Sequence, residues 1–116
     1  MSNVEEIEEF SIPTPEPGKV VKATITAIYK GKLKDLIDIE AIRNEVVKQR
    51  FKRNAGRDAI QIEFDVNGIK YRQVFIITTN PRSNLVKLMK KYKKLKVGME
   101  IDVVFNERGL PRIYLE

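Results

Sequence analysis

Two basic runs with an aromatic residue beside each stand out in this 116-residue chain. Lys30, Lys32 and Lys34 follow Tyr29, while Lys48, Arg50, Lys52, Arg53 and Arg57 surround Phe51, with no acidic residue between positions 48 and 57. Guanidinium and ammonium groups hold phosphate oxygens, and an accessible ring offers any base a face to stack on. The pattern suits a grip on a polyanion rather than the making or breaking of bonds.

Catalytic alternatives find little support. The chain has no Cys, His or Trp, which removes thiol and imidazole catalysis, Ser-His triads and zinc fingers. No phosphate-binding glycine loop of the G-x-x-x-x-G-K-[ST] kind occurs, nor H-E-x-x-H or G-x-S-x-G. The carboxylate pairs Asp35/Asp38 and Glu63/Asp65 read as a helix cap and as partners for facing basic residues. A non-enzymatic protein with neither cofactor nor metal is expected.

Charge is unevenly distributed along the chain. Residues 1–18 contain five glutamates and no basic residue, whereas the remainder holds all 22 basic residues and 11 acidic ones. The net charge of +6 therefore joins an acidic leader to a strongly basic body. A basic body attracts polyanions through its long-range field, nucleic acid being the commonest such partner. Three prolines at positions 13, 15 and 17 favour extended backbone, so residues 1–17 read as a flexible arm and 18–116 as one domain. The acidic start is unlike a secretory signal, and no apolar run has the length of a membrane span. A soluble, cytoplasmic chain without a membrane segment is the expectation.

The elements that must position the basic runs are legible from Gly18 onward. Residues 20–29 are β-branched and alternating, with Val21, Ala23, Ile25 and Ala27 on one side and Lys22, Thr24 and Thr26 on the other. That pattern predicts a half-buried strand. Ile60, Ile62, Phe64 and Val66 alternate with Gln61, Glu63 and Asp65 before Asn67-Gly68, the strongest short hairpin signal. Residues 69–77 return, and the two-residue turn sets Val66 opposite Ile69, Phe64 opposite Tyr71, and Ile60 opposite Phe75. On the other face Asp65 meets Lys70 and Glu63 meets Arg72, opposite charges that favour this register over a one-residue slip.

A helix follows, with Asn80 or Ser83 as cap, Pro81 in its first turn and Leu85, Leu88, Met89, Tyr92 and Leu95 as its stripe. Ile101, Val103 and Phe105 form a fourth strand. Residues 106–109 turn, and residues 110–115 return with Pro111 at an edge or strand start. Between the first two strands, residues 38–53 read as a helix capped by Asp38. Its apolar stripe of Ile39, Ile42 and Val46 is spoiled by Arg43 and Arg50. Two readings follow: a surface helix whose arginines reach water, or a basic arm that orders on a polyanion.

The order of elements resembles that of an OB-fold over residues 19–116: mainly β with helices, a five-stranded OB-like Greek-key barrel. One helix lies between strands 3 and 4, and the basic, partly helical insertion of residues 30–58 lies between strands 1 and 2. The resemblance is one of architecture, and an SH3-like barrel or small α+β sheet is the alternative. An OB-fold implies oligonucleotide binding on the outer face of strands 2 and 3, flanked by the loop after strand 1 and the loop between strands 4 and 5. On that scheme Lys22, Lys70 and Arg72 line the strand face and Tyr29 and Phe51 stack on bases. Lys30, Lys32, Arg50, Lys52, Arg53 and Arg57 hold phosphates, and Arg108 closes the groove.

The expected partner is nucleic acid, single-stranded DNA or RNA, bound with little sequence specificity. A protein-interaction module, an adaptor or inhibitor docking an acidic partner, is the alternative, with the acidic arm or an edge strand as the contact for a protein. The basic run at residues 82–96 reads as a solvated lysine face that raises the field without direct contacts.

Overall fold

The computed structural model describes Glu6, Glu8, Glu9 and residues 16–116. The arm expected over residues 1–17 lies mostly outside them. Alternation in the first apolar stretch becomes β1 (Val20–Lys32), longer than expected by three residues. Ala23 and Ile25 are buried in the core. A bulge between Ile25 and Ala27 then shifts the register, so that Ile28 rather than the expected Ala27 packs against the core. An extra residue in one strand bends it and increases its twist. Here the bend lets one long strand pair with β2 over its second half and with β4 over its first.

The hairpin of β2 (Asp58–Val66) and β3 (Ile69–Ile76) has the register read from its turn, including Val66 opposite Ile69, Phe64 opposite Tyr71 and Glu63 opposite Arg72. Asn67 and Gly68 both have positive φ, at 53° and 86°, as a two-residue hairpin turn requires. Asp65 faces Lys70 in the register, but its Oδ1 accepts the Gly68 N–H at 2.9 Å and so braces the turn instead.

Between β1 and β2 the single helix expected over residues 38–53 is replaced by a 3-10 turn (Ile39–Ala41) and helix α2 (Glu45–Arg53), and an unexpected turn of helix α1 (Leu33–Leu36) precedes them. The break has a local cause. Asn44 is extended and its Oδ1 accepts the Val47 N–H at 3.1 Å, starting a new helix six residues beyond Asp38. Asp38 makes no side-chain cap. The insertion is cinched at its neck, where Leu33 N–H donates to the Arg57 carbonyl at 2.9 Å and Lys34 N–H to that of Ala55 at 3.0 Å.

Helix α3 (Asn84–Tyr92) is capped by Ser83, whose Oγ accepts the Val86 N–H at 3.2 Å. Pro81 lies in the preceding turn rather than in the helix. Leu88 is buried, Leu85, Tyr92 and Leu95 pack beside it, and the Asp102 N–H donates to the Tyr92 hydroxyl at 2.8 Å. β4 (Glu100–Phe105) and the short β5 (Pro111–Ile113) complete the sheet.

The protein is therefore mainly β, five antiparallel strands in the order β3-β2-β1-β4-β5 with a few helices, curled into a nearly closed barrel. The arrangement is compatible with an OB-like fold. Ile25, Ile62, Phe64, Phe75, Ile101 and Val103 are among the residues of its core, and Tyr71 joins Phe64 and Phe105 at ring-centroid distances of 6.0 and 5.9 Å. Closure between β3 and β5 is made by a side chain: the Ile113 N–H donates to Gln73 Oε1 at 2.8 Å.

Leu33 is fully buried yet stands apart from the barrel core. Leu33→Ala is expected to cost about 2–4 kcal/mol in urea denaturation at neutral pH, whereas Val46→Ala, at a position 72% exposed, should stay within about 0.5 kcal/mol. An unchanged midpoint for Leu33→Ala would contradict the packing of α1.

Candidate functional site

The outer face of β1–β3, where the architectural resemblance places a ligand, is partly covered. Residues after the bulge in β1 alternate so that Tyr29 pairs with Gln61 and Gly31 with Ala59 on this face. Helix α1 lies across it. A Cβ at Gly31 would stand 3.7 Å from Leu36 Cδ2, so the bare backbone there accepts the leucine at ordinary contact distance. Beneath this cover Ala59 is fully buried, Gln61 is 7% exposed and Glu63 8%. What remains open is a cleft of about 280 Å³ lined by Tyr29, Asp35, Leu36, Gln61 and Arg72.

Glu63 governs the charge on this face. Its Oε1 accepts the Thr26 hydroxyl at 2.9 Å, while Arg72 brings Nε and Nη2 each to 3.2 Å from Oε2. Lys70 Nζ stands 3.8 Å away. The Thr26 hydroxyl, the Arg72 guanidinium and the Lys70 ammonium hold the carboxyl below its ordinary pKa, against the opposing effect of desolvation. Arg72 also lies over the Tyr29 ring, 5.7 Å from its centroid. Lys70 and Arg72 are thus drawn to a carboxylate, and Tyr29, though 43% exposed, has a cation on one face.

Lys22 is separated from this group. It faces β4, with Nζ 2.6 Å from Asp102 Oδ1, and Lys91 approaches the other oxygen of that carboxylate at 3.5 Å. Lys22 lowers the Asp102 pKa, and its own is raised in return. Arg108 lies in the β4–β5 turn, exposed, at the end of β1 opposite the insertion, because Val20 pairs with Val104 there.

Within the insertion the basic residues divide into paired and unpaired sets. Lys32 Nζ reaches Asp58 at 2.9 Å, across the last pair of the β1–β2 ladder, and Lys30 is exposed on the same side of β1. Lys48 and Lys52, one turn apart on α2, both reach Glu40 of the 3-10 turn, at 3.4 and 3.5 Å. Arg50, Arg53 and Arg57 have no carboxylate within 4.0 Å among the described residues.

Arg50, Phe51 and Arg57 share a cleft of about 390 Å³ with Asn54, against residues 74–76 of β3, Thr78 and the first turn of α3. Asn54 braces this wall: its Nδ2 donates to the Arg50 carbonyl at 2.8 Å, and its Oδ1 lies 3.4 Å from Arg57 Nη1. Phe51 is half-buried here. Arg53 stays outside the cleft on the exposed side of α2.

The structure thus gathers Arg50, Phe51 and Arg57 in one place and Tyr29, Lys70 and Arg72 in another, while Lys22 and Arg108 join neither. Sequence reasoning missed Asn54 as a brace and Leu33 and Leu36 as a cover. The second was detectable, since two leucines at i and i+3 separated by Lys34 and Asp35 are a short amphipathic turn. Among the described residues no cluster of three or more Asp or Glu is placed to hold a metal ion, and no helix is long and apolar enough to cross a membrane.

Because the folded pKa of Glu63 lies below its ordinary value of 4.5, its contribution to stability is complete above that value and lost as pH falls through the lowered one. The gap in melting temperature between the wild-type protein and Glu63→Gln is expected to be widest at neutral pH and to narrow as pH falls below 4.5 and through the lowered pKa. A gap independent of pH would contradict the placement of Glu63 as a paired anion.

Comparisons with models of known protein families, with curated proteins and with solved structures found no match. The geometry of the barrel and its insertion therefore carries the functional reading.

Proposed function

We propose that this protein is a non-catalytic module that binds single-stranded nucleic acid, DNA or RNA, with little sequence preference. The observation that carries the reading is the cleft beside α2, in which Arg50 and Arg57, neither with a carboxylate partner among the described residues, flank the half-buried ring of Phe51. Arginine forks onto phosphate oxygens and stacks on bases, and a ring beside it supports one base face. Arg53, exposed on the same helix, adds a further phosphate contact at the rim.

Low specificity follows from the same list of groups. Sequence is read by donors and acceptors aimed at base edges, and here the amide of Asn54 is engaged by the Arg50 carbonyl and the Arg57 guanidinium. The cations dominate, so affinity comes from phosphates and should be steeply salt-dependent. An OB-like barrel is a common support for such binding, which adds a prior of architecture to the chemistry of the cleft.

Fluorescence anisotropy with a labelled oligonucleotide across a range of salt concentrations tests this. Affinity is expected to fall with salt by about 0.7 on a log–log plot for each phosphate contact. Replacing Arg50, Arg53 and Arg57 together by alanine should lower that slope by about 2 and weaken binding at least about tenfold at low salt. No binding by the wild-type protein to any oligonucleotide at low salt would refute the proposal.

A further inference from the structure

The cleft beside α2 is not isolated. Asn84 lines both it and a second depression, of about 420 Å³, bounded by Gln73, Lys87, Arg112 and Tyr114. Lys87 in turn lines this second depression and a third, of about 330 Å³, with Lys90, Lys91 and Leu115. The three depressions adjoin one another through these shared residues, in a row that passes the first turn of α3 and the β3–β5 seam, where Gln73 stands in for a backbone ladder.

The first two depressions repeat one set of groups. The first has Arg50 and Arg57, the ring of Phe51 and the amide of Asn54. The second has Arg112, the ring of Tyr114 and the amides of Gln73 and Asn84. Gln73, which lines the second depression, spends its Oε1 on the Ile113 N–H, so its NH₂ is the group of that amide left to donate. Lys87 and Arg112 are exposed and, among the described residues, have no carboxylate within 4.0 Å.

Lys91 is different. It is held by the carbonyls of Tyr114 and Glu116 at 2.9 and 3.1 Å, by Asp102, and over the Tyr92 and Tyr114 rings at 5.4 and 4.8 Å. It fixes the Tyr114 wall of the track rather than serving a ligand. Glu116 lines both the second and the third depression and brings negative charge to that end of the track.

Cation, ring and amide recurring along a groove suit successive units of a polynucleotide, in which phosphate, base face and base edge repeat together. Resting on the nucleic-acid reading above, we infer that the bound strand runs along the β3–β5 seam, from the Arg50–Arg57 cleft past Asn84 to Lys87 and Arg112. It does not cross the outer face of β1–β3, which α1 and Glu63 occupy. The basic face of α3, expected to be only a solvated surface, then supplies a direct contact through Lys87.

The test measures anisotropy of fluorescein-labelled twelve-residue oligothymidine and oligouridine with the full chain. Lys87→Ala combined with Arg112→Ala, both at exposed positions, is expected to weaken binding about tenfold and to lower the salt slope by about 1.4, two contacts' worth. Lys70→Ala on the β1–β3 face is expected to stay within about twofold, as a side chain already paired should. A larger loss with one probe than with the other identifies the strand as DNA or RNA.

Unchanged affinity in the Lys87/Arg112 double variant, with loss in the Arg50/Arg53/Arg57 variant, would overturn the track and leave the nucleic-acid reading intact. Failure of the wild-type protein to bind either probe would overturn both. Polyglutamate of the same length competing as well as the oligonucleotides would assign the track to an acidic peptide and overturn it.

Discussion

A carboxylate on a covered β-sheet face has to be met by donors, and Glu63 is such a carboxylate. Helix α1 removes much of the water from its side of the sheet, so Thr26, Arg72 and Lys70 are recruited to it. One consequence is structural: β1, β2 and β3 are tied by side chains as well as by their ladders. The other concerns function, because Arg72 and Lys70 are the cations that an open strand face would have offered to a ligand. Packing Leu33 and Leu36 onto the sheet thus decides which basic residues remain available elsewhere.

The same sorting runs through the molecule. Among the described residues seven basic side chains lie within 4.0 Å of a carboxylate. Most of these pairs are exposed, and such pairs contribute little to stability, but they lower the local field. Glu40 illustrates this: it holds Lys48 and Lys52 to one side of α2, and its own pKa is lowered by them, Lys48 foremost. Arg50 and Arg53 of that helix have no carboxylate within 4.0 Å among the described residues. A positive surface left over after pairing is more informative than the total of +6, which counts committed and available groups alike.

How much of this was legible in the sequence varied with the range of the interaction. The β2–β3 hairpin was fully legible, since Asn67-Gly68 sets the turn and alternation sets the faces within a span of under twenty residues. Helix α3 was legible from its stripe, and its cap at Ser83 was one of two expected. The insertion was misread because the spacing of Ile39, Ile42 and Val46 fits a helix, while the competing cap at Asn44 is a matter of one local hydrogen bond. The bulge at Ile25 and Ala27 carries no sequence signature. Closure through Gln73 and Ile113, forty residues apart, and the pairing of Lys22 with Asp102, eighty apart, depend on the completed barrel. So does the candidate site: Arg50, Phe51 and Arg57 belonged to a wider expected set with Tyr29, Lys30, Lys32, Lys52 and Arg53, and their neighbours Asn84, Lys87 and Arg112 come from other elements.

The central claim is that a covered strand face directs a bound single strand to the β3–β5 seam. Nuclear magnetic resonance titration of the isotope-labelled chain with a short oligothymidine addresses it most directly, since it reads every amide at once. The account predicts the largest shift changes at residues 50–57, at Asn84 and Lys87, and at residues 112–114, with Tyr29, Gln61 and Arg72 little affected. Changes concentrated on Tyr29, Gln61 and Arg72, with the seam residues silent, would contradict it.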